Sequence, residues 1–96
     1  PQLTRSELAA LIGVRFAALL AAAPARDVGV VTDIRGHWAE RWILAAARAG
    51  IVEPYANHAF QPRAVVRRVD LAQAVARLLA LVAAGDPARA RAWQNA

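Results

Sequence analysis

Two stretches of this chain open in the same way. Leu3 to Phe16 reads LTRSELAALIGVRF, and Val66 to Leu79 reads VRRVDLAQAVARLL. Laid side by side without a gap, Arg5 meets Arg68, Glu7 meets Asp70, Leu8 meets Leu71, Ala9 meets Ala72, Ile12 meets Val75 and Phe16 meets Leu79. The apolar matches alone say little, because any two amphipathic helices share them. The common Arg-x-acid-Leu-Ala opening adds information, since it puts the same charges on the same helical turn. Such a chain is expected to stack one supersecondary unit on the next. It reads as the last helix of one repeat (residues 1–24), one complete repeat (25–85) and a short helical tail (86–96).

Local signals place the helices. Thr4-Arg5-Ser6-Glu7 has the capping-box form, with Thr4 as N-cap and Glu7 at the third helical position. Leu8, Leu11, Ile12, Phe16, Leu19 and Leu20 follow at helical spacing, and Pro24 ends the run, so a helix is expected over 5–23. Residues 25–32 read as a linker with a short apolar patch. A second helix is expected over 37–49, through Trp38, Trp42, Ile43 and Ala46, closed by Gly50 with Ile51 behind it. Residues 52–64 are irregular, bracketed by Pro54 and Pro62, with Tyr55 and Phe60 as anchors and Asn57 as the residue suited to a left-handed turn. A third helix is expected over 68–84, with Leu71, Val75, Leu78, Leu79 and Val82 on one face. Asp86-Pro87 then resembles a cap for the tail helix. The repeat places Leu8, Ile12, Leu71 and Val75 in a shared core, with the first and third helices side by side. The fold class is therefore all-α, a bundle of helix–loop–helix repeats.

Composition narrows the function. The chain has 96 residues, enough for one small domain with a modest core. It is 58% hydrophobic, largely through alanine, which favours helix but buries little area. The net charge is +5 and every basic residue is arginine, which suits an anionic partner; a codon bias toward alanine and arginine is the plain alternative. There is no cysteine, so no disulfide can form. The lack of methionine and the start at Pro1 fit a processed or excised segment. Residues 8–23 are nearly all apolar, but the stretch is short for a membrane span and carries Arg15; a signal-peptide core is the weaker reading, because a helix cap precedes it. His37 and His58 lack the companions a metal site needs, and Ser6, the sole serine, has no neighbouring histidine to activate it. No metal, cofactor or catalytic residue is expected. Arg63, Arg67 and Arg68 could touch nucleic-acid phosphates, but no recognition motif supports that use.

Thr32-Asp33-Ile34-Arg35-Gly36-His37-Trp38-Ala39-Glu40 resembles the opening of an S-layer homology motif. The order that follows is also similar: Ile43 and Ala47, then Ala49-Gly50-Ile51, then Tyr55 to Pro62, then the helix opening Val66 to Leu71. Thr4-Arg5-Ser6-Glu7-Leu8 resembles the family's Thr-Arg-Ala-Glu-Phe signature. The resemblance covers roughly residues 3–82, about one and a half repeats. It implies a non-catalytic module of the cell envelope, outside the cytoplasm, that binds anionic cell-wall polysaccharide or peptidoglycan, often through a pyruvate-modified sugar. Three motifs commonly form a pseudo-threefold bundle with ligand grooves between them, so further repeats or a homo-oligomer are implied partners, without nucleic acid or a membrane span. A degenerate repeat serving as a structural or protein–protein module is the alternative. The glycan-binding residues implied are Arg5, Glu7, Gly36, Trp38, Asn57, Arg68 and Asp70. Arg5 and Arg68 stand at helix starts, where free backbone N–H groups also favour an anion. Trp38 reads as a core tryptophan or as a sugar platform, the core reading being preferred. The sequence departs from the signature at Arg67-Arg68-Val69-Asp70, where the threonine cap is lost, and at Asn57-His58, where the family has Asp-Gly.

Overall fold

The computed structural model describes residues 2–85; its regular structure is helical, with a single isolated antiparallel bridge, Thr4 to Val65, among those residues. Four helices follow in order: α1 (Arg5–Arg15), α2 (Ala17–Ala22), α3 (Glu40–Arg48) and α4 (Arg68–Gly85). The tail expected over 86–96 lies outside the described residues. The core is formed by α1 against α3, closed by the segments on either side of α3. Ile34, Ile43, Ile51 and Phe60 are its most enclosed large side chains.

The caps act where the sequence puts them. The Thr4 hydroxyl accepts the Glu7 N–H at 3.2 Å, and the Glu7 carboxylate accepts the Thr4 N–H at 2.9 Å. At the end of α3, Gly50 donates to the Ala47 carbonyl and Ile51 to the Ala46 carbonyl, the Schellman pattern. Gly50 has φ 81°, which a side chain would strain, and Ile51 drops into the core behind it.

Three expectations need correction. The first helix does not run unbroken over 5–23. Phe16 leaves helical geometry at φ −121°, and α2 restarts at Ala17 with Leu20 as its buried residue. Helix α3 starts at Glu40 instead of 37, because the His37 ring accepts the Ala39 N–H at 3.1 Å and holds a turn there. The third correction is to the shared core. Leu8 and Ile12 are buried as expected, but Leu71 and Val75 are exposed, and α4 does not lie beside α1. It reaches the core through Ala74, Leu78 and Leu81, a stripe that shares only Leu78 with the expected face. The left-handed residues of the loop are His58 (φ 66°) and Gln61 (φ 58°), not Asn57, whose carboxamide accepts the Ala59 N–H.

Close approach of α1 and α3 depends on Gly13. A Cβ built there would collide with Cδ1 of Trp42 and stand 2.8 Å from its Cβ. On an exposed helix, Gly→Ala stabilises by about 1 kcal/mol. Here the sign should reverse: Gly13→Ala is expected to lower the melting temperature, read by circular dichroism, because the helices must separate or Trp42 must move. An unchanged or higher melting temperature would mean that the two helices are not held this close.

Candidate functional site

The start of α1 is tied to the loop that leads into α4. The Arg5 N–H donates to the Ala64 carbonyl at 2.8 Å, and the Ser6 N–H donates to the Pro62 carbonyl at 3.0 Å. Leu3 accepts the Val66 N–H at 2.8 Å. Backbone donors that a helix start ordinarily leaves free are therefore already satisfied. The expectation that this N-terminus offers free N–H groups to an anion is overturned.

Arg5 points inward. Its Nε donates to the Phe60 carbonyl at 2.7 Å and its Nη2 to the Glu53 carbonyl at 2.8 Å. The guanidinium lies over two rings, 4.6 Å from the centroid of Tyr55 and 4.3 Å from that of Phe60. Only 8% of the residue is exposed. The planar fork suits this place, since two in-plane donors reach two carbonyls while the face stacks on aromatic rings. Arg5 lines a small cavity of about 160 Å³ with Tyr55, Asp70 and Arg77, on a different side from Gly36 and Trp38. It does not sit at the rim of a groove with them.

The remaining expected residues divide. Glu7, Gly36 and Trp38 come together and line one shallow groove of about 510 Å³, with Thr4, Ser6, His37 and Arg63. Asn57 stands apart in the turn before Phe60. Arg68 is exposed at the first position of α4, and Asp70 is paired with Arg67 at 3.1 Å. Sequence reasoning missed Ser6, His37 and Arg63 as groove residues. Arg63 arrives through the Thr4–Val65 bridge, and one bridge has no periodicity to read.

The groove has a defined chemistry. Gly36 has φ 74°, yet an added Cβ there would meet nothing within 4 Å. Its role is the left-handed turn, not the room it leaves. Its N–H donates to Glu40 at 3.2 Å. The His37 Nδ1 accepts the Ala39 N–H, so Nε2 is the donor of the neutral ring. Trp38 is 61% exposed, which rules out the core reading, and its ring lies 5.6 Å from His37 and 6.2 Å from Trp42. Arg63 supplies an exposed cation, whereas Ser6 is buried with its hydroxyl bonded to that of Thr4 at 3.1 Å. The arrangement offers an aromatic face, one guanidinium and several polar groups.

A family model described as the S-layer homology domain matches residues 32–72. Residues 32–72 are thus similar to an S-layer homology domain. No curated protein and no solved structure matches it. Domains of this family generally serve as non-catalytic cell-wall anchoring modules. No helix among the described residues is long and apolar enough to cross a membrane. The S-layer homology segment opens at Thr32, beside a residue that the candidate set omitted. Asp33 accepts the Phe60 N–H and the Gln61 N–H, both at 2.8 Å, and so pins the left-handed Gln61 and the buried Phe60 from the far end of the segment. The segment contains Gly36, Trp38, Asn57, Arg68 and Asp70; Arg5 and Glu7 lie before it.

Two carboxylates carry shifted affinities for protons. The Thr4 backbone N–H, and then its hydroxyl, hold Glu7 below the usual carboxylate range. The Arg67 guanidinium, bonded side chain to side chain, holds Asp70 below it as well. A lowered folded value contributes stability that is present above the unfolded value and lost as the pH falls through the folded one. Melting temperature is therefore expected to be flat in these groups near neutrality and to fall below about pH 4. Glu7→Gln should make that acid fall shallower; an identical acid profile in the variant would remove the cap from the account. Arg5→Ala leaves the Phe60 and Glu53 carbonyls unpaired and should cost about 2–4 kcal/mol of unfolding free energy in a urea titration. Arg5→Lys should recover little of this, because one ammonium cannot reproduce the planar fork.

Proposed function

We propose that this chain is an anchoring module that binds an anionic cell-wall polysaccharide in the groove between the start of α1 and the Gly36-His37-Trp38 turn. One observation carries the reading: a largely exposed tryptophan shares a groove with an unburied arginine. An exposed indole is costly to leave in water, and its face suits the apolar face of a pyranose ring. Arg63 then receives the sugar's carboxylate, and the Nε2–H of His37 serves a ring hydroxyl. The cation of this site is Arg63, while Arg5, the arginine of the signature, is engaged inside the fold. Glu7 is occupied by its cap and keeps carboxylates out of that end of the groove, which orients the ligand's acid toward Arg63.

The reading extends to the organisation of the chain. Residues 1–24 act as the closing helix of a preceding repeat, and 25–85 as one full repeat. Attachment at the cell envelope follows from the polysaccharide.

The test is affinity for purified acidic wall polysaccharide by calorimetry. Trp38→Ala and Arg63→Ala should each weaken binding about tenfold or more, since one charge-assisted contact is worth roughly 1.5–3 kcal/mol. Both residues are surface-exposed, so both variants should melt like the parent. Equal affinity in the parent and both variants would move the site away from this groove.

A further inference from the structure

Between α2 and α3 lies a trough of about 430 Å³, separate from the groove at Gly36 and Trp38. Leu20 and the Trp42 ring line it, with Ala21 on the α2 side and Ala45 on the α3 side. Leu20 is 7% exposed, so the apolar floor is recessed. Among the described residues, the charged groups that line the trough are Arg41 and Arg48, both exposed, and no carboxylate joins them. They stand seven residues apart on α3, about 10 Å along its axis, and so bracket the apolar stretch. The Arg41 guanidinium lies 4.5 Å from the centroid of the Trp42 ring, which holds this cation at the edge of the trough. Among the described residues neither arginine is ion-paired, whereas Arg67 pairs with Asp70 and Arg77 with Glu53. A cation in the last turn of its helix accounts for Arg48 as a charge, but not for the uncovered apolar floor beside it.

From this trough we infer a binding site for one single-chain anionic amphiphile, a fatty acid in the simplest case. Its alkyl chain covers Leu20 and Trp42, and its head group meets Arg41 or Arg48. The lining sets this chemistry. Apart from the two guanidiniums it is almost wholly apolar, so a sugar's hydroxyls would lack partners there, while an alkyl chain gains by leaving water. Two cations without a carboxylate favour an acid head. The volume lies within the roughly 300–1,000 Å³ of small-ligand sites. A peptide helix, about 10–12 Å across, would fill it with roughly one turn. A flat bilayer surface does not reach a floor recessed behind its rim, so the occupant is a free molecule.

Decanoate, kept below its micelle concentration, is titrated into the full chain by calorimetry. It should bind saturably, one molecule per chain. Butyrate and decanol should each bind about tenfold or more weakly, the first for want of chain and the second for want of charge. Arg41→Ala combined with Arg48→Ala should lose about tenfold or more in decanoate affinity. Ala21→Trp, which fills the trough from an exposed position, should abolish binding. Circular dichroism checks that both variants keep the parent's helix, and the ligand series on the parent decides whatever the variants do to folding. No decanoate binding by the parent would overturn the inference. So would equal binding by a folded Ala21→Trp, the mark of non-specific adsorption, and so would decanol binding as tightly as decanoate. Sedimentation with phosphatidylglycerol vesicles that Ala21→Trp abolishes would assign the trough to a membrane surface and also overturn it. The titration uses no polysaccharide, so its outcome is separate from that of the groove at Trp38.

Discussion

A charge removed from water has to be met on all sides, and Arg5 is the one charged side chain that the described residues bury. Its guanidinium satisfies the carbonyls of Phe60 and Glu53 and lies against the rings of Tyr55 and Phe60. These contacts join the first turn of α1 to both ends of the irregular segment that follows α3. Asp33 completes the arrangement from the opposite side by holding the Phe60 and Gln61 N–H groups. An irregular loop with two non-glycine residues in left-handed conformations would be costly alone. Clamped by one cation and one anion, it becomes the wall on which Ile34, Ile43 and Ile51 pack.

This constraint separates two tasks that one arginine could have shared. A guanidinium committed to backbone carbonyls keeps little capacity for a ligand, and the helix start around it has its N–H groups satisfied by Pro62, Ala64 and Thr4. The same pairing of the α1 start with residues 62–66 brings Arg63 to the surface next to Gly36, His37 and Trp38. The fold thus spends one arginine on cohesion and exposes another in an open groove beside an exposed indole. In the anchoring role proposed above, this division would let ligand release leave the core intact.

Much of the fold was legible because local chemistry dictates it. The capping box at Thr4 and Glu7, the Ala49-Gly50-Ile51 helix end, the extent of α4 and the order of motifs in the S-layer homology segment all follow from residues close together in the chain. What was not legible is set by tertiary contacts. No capping residue or proline marks the break at Phe16 in the sequence. Asn57 is the better left-handed residue by propensity, yet its side chain does more by bonding Ala59, and His58 takes the strained position. The side to which Arg5 turns depends on rings fifty or so residues away in sequence, and Leu71 and Val75 look like core because their repeat partners are core. At the groove, Glu7, Gly36 and Trp38 were found from the resemblance, whereas Arg63 depended on a single bridge that leaves no pattern.

The central claim, a structural arginine inside and a ligand-binding arginine outside, is tested most directly by titrating acidic wall polysaccharide into the isotopically labelled chain and following its nitrogen–proton resonances. The account predicts shifts at the Trp38 indole and the backbone amides of Gly36, His37 and Arg63, with the Arg5 Nε–H and the Phe60 amide unmoved. Shifts centred on the Arg5 Nε–H and residues 53–60, with the Trp38 indole silent, would contradict it.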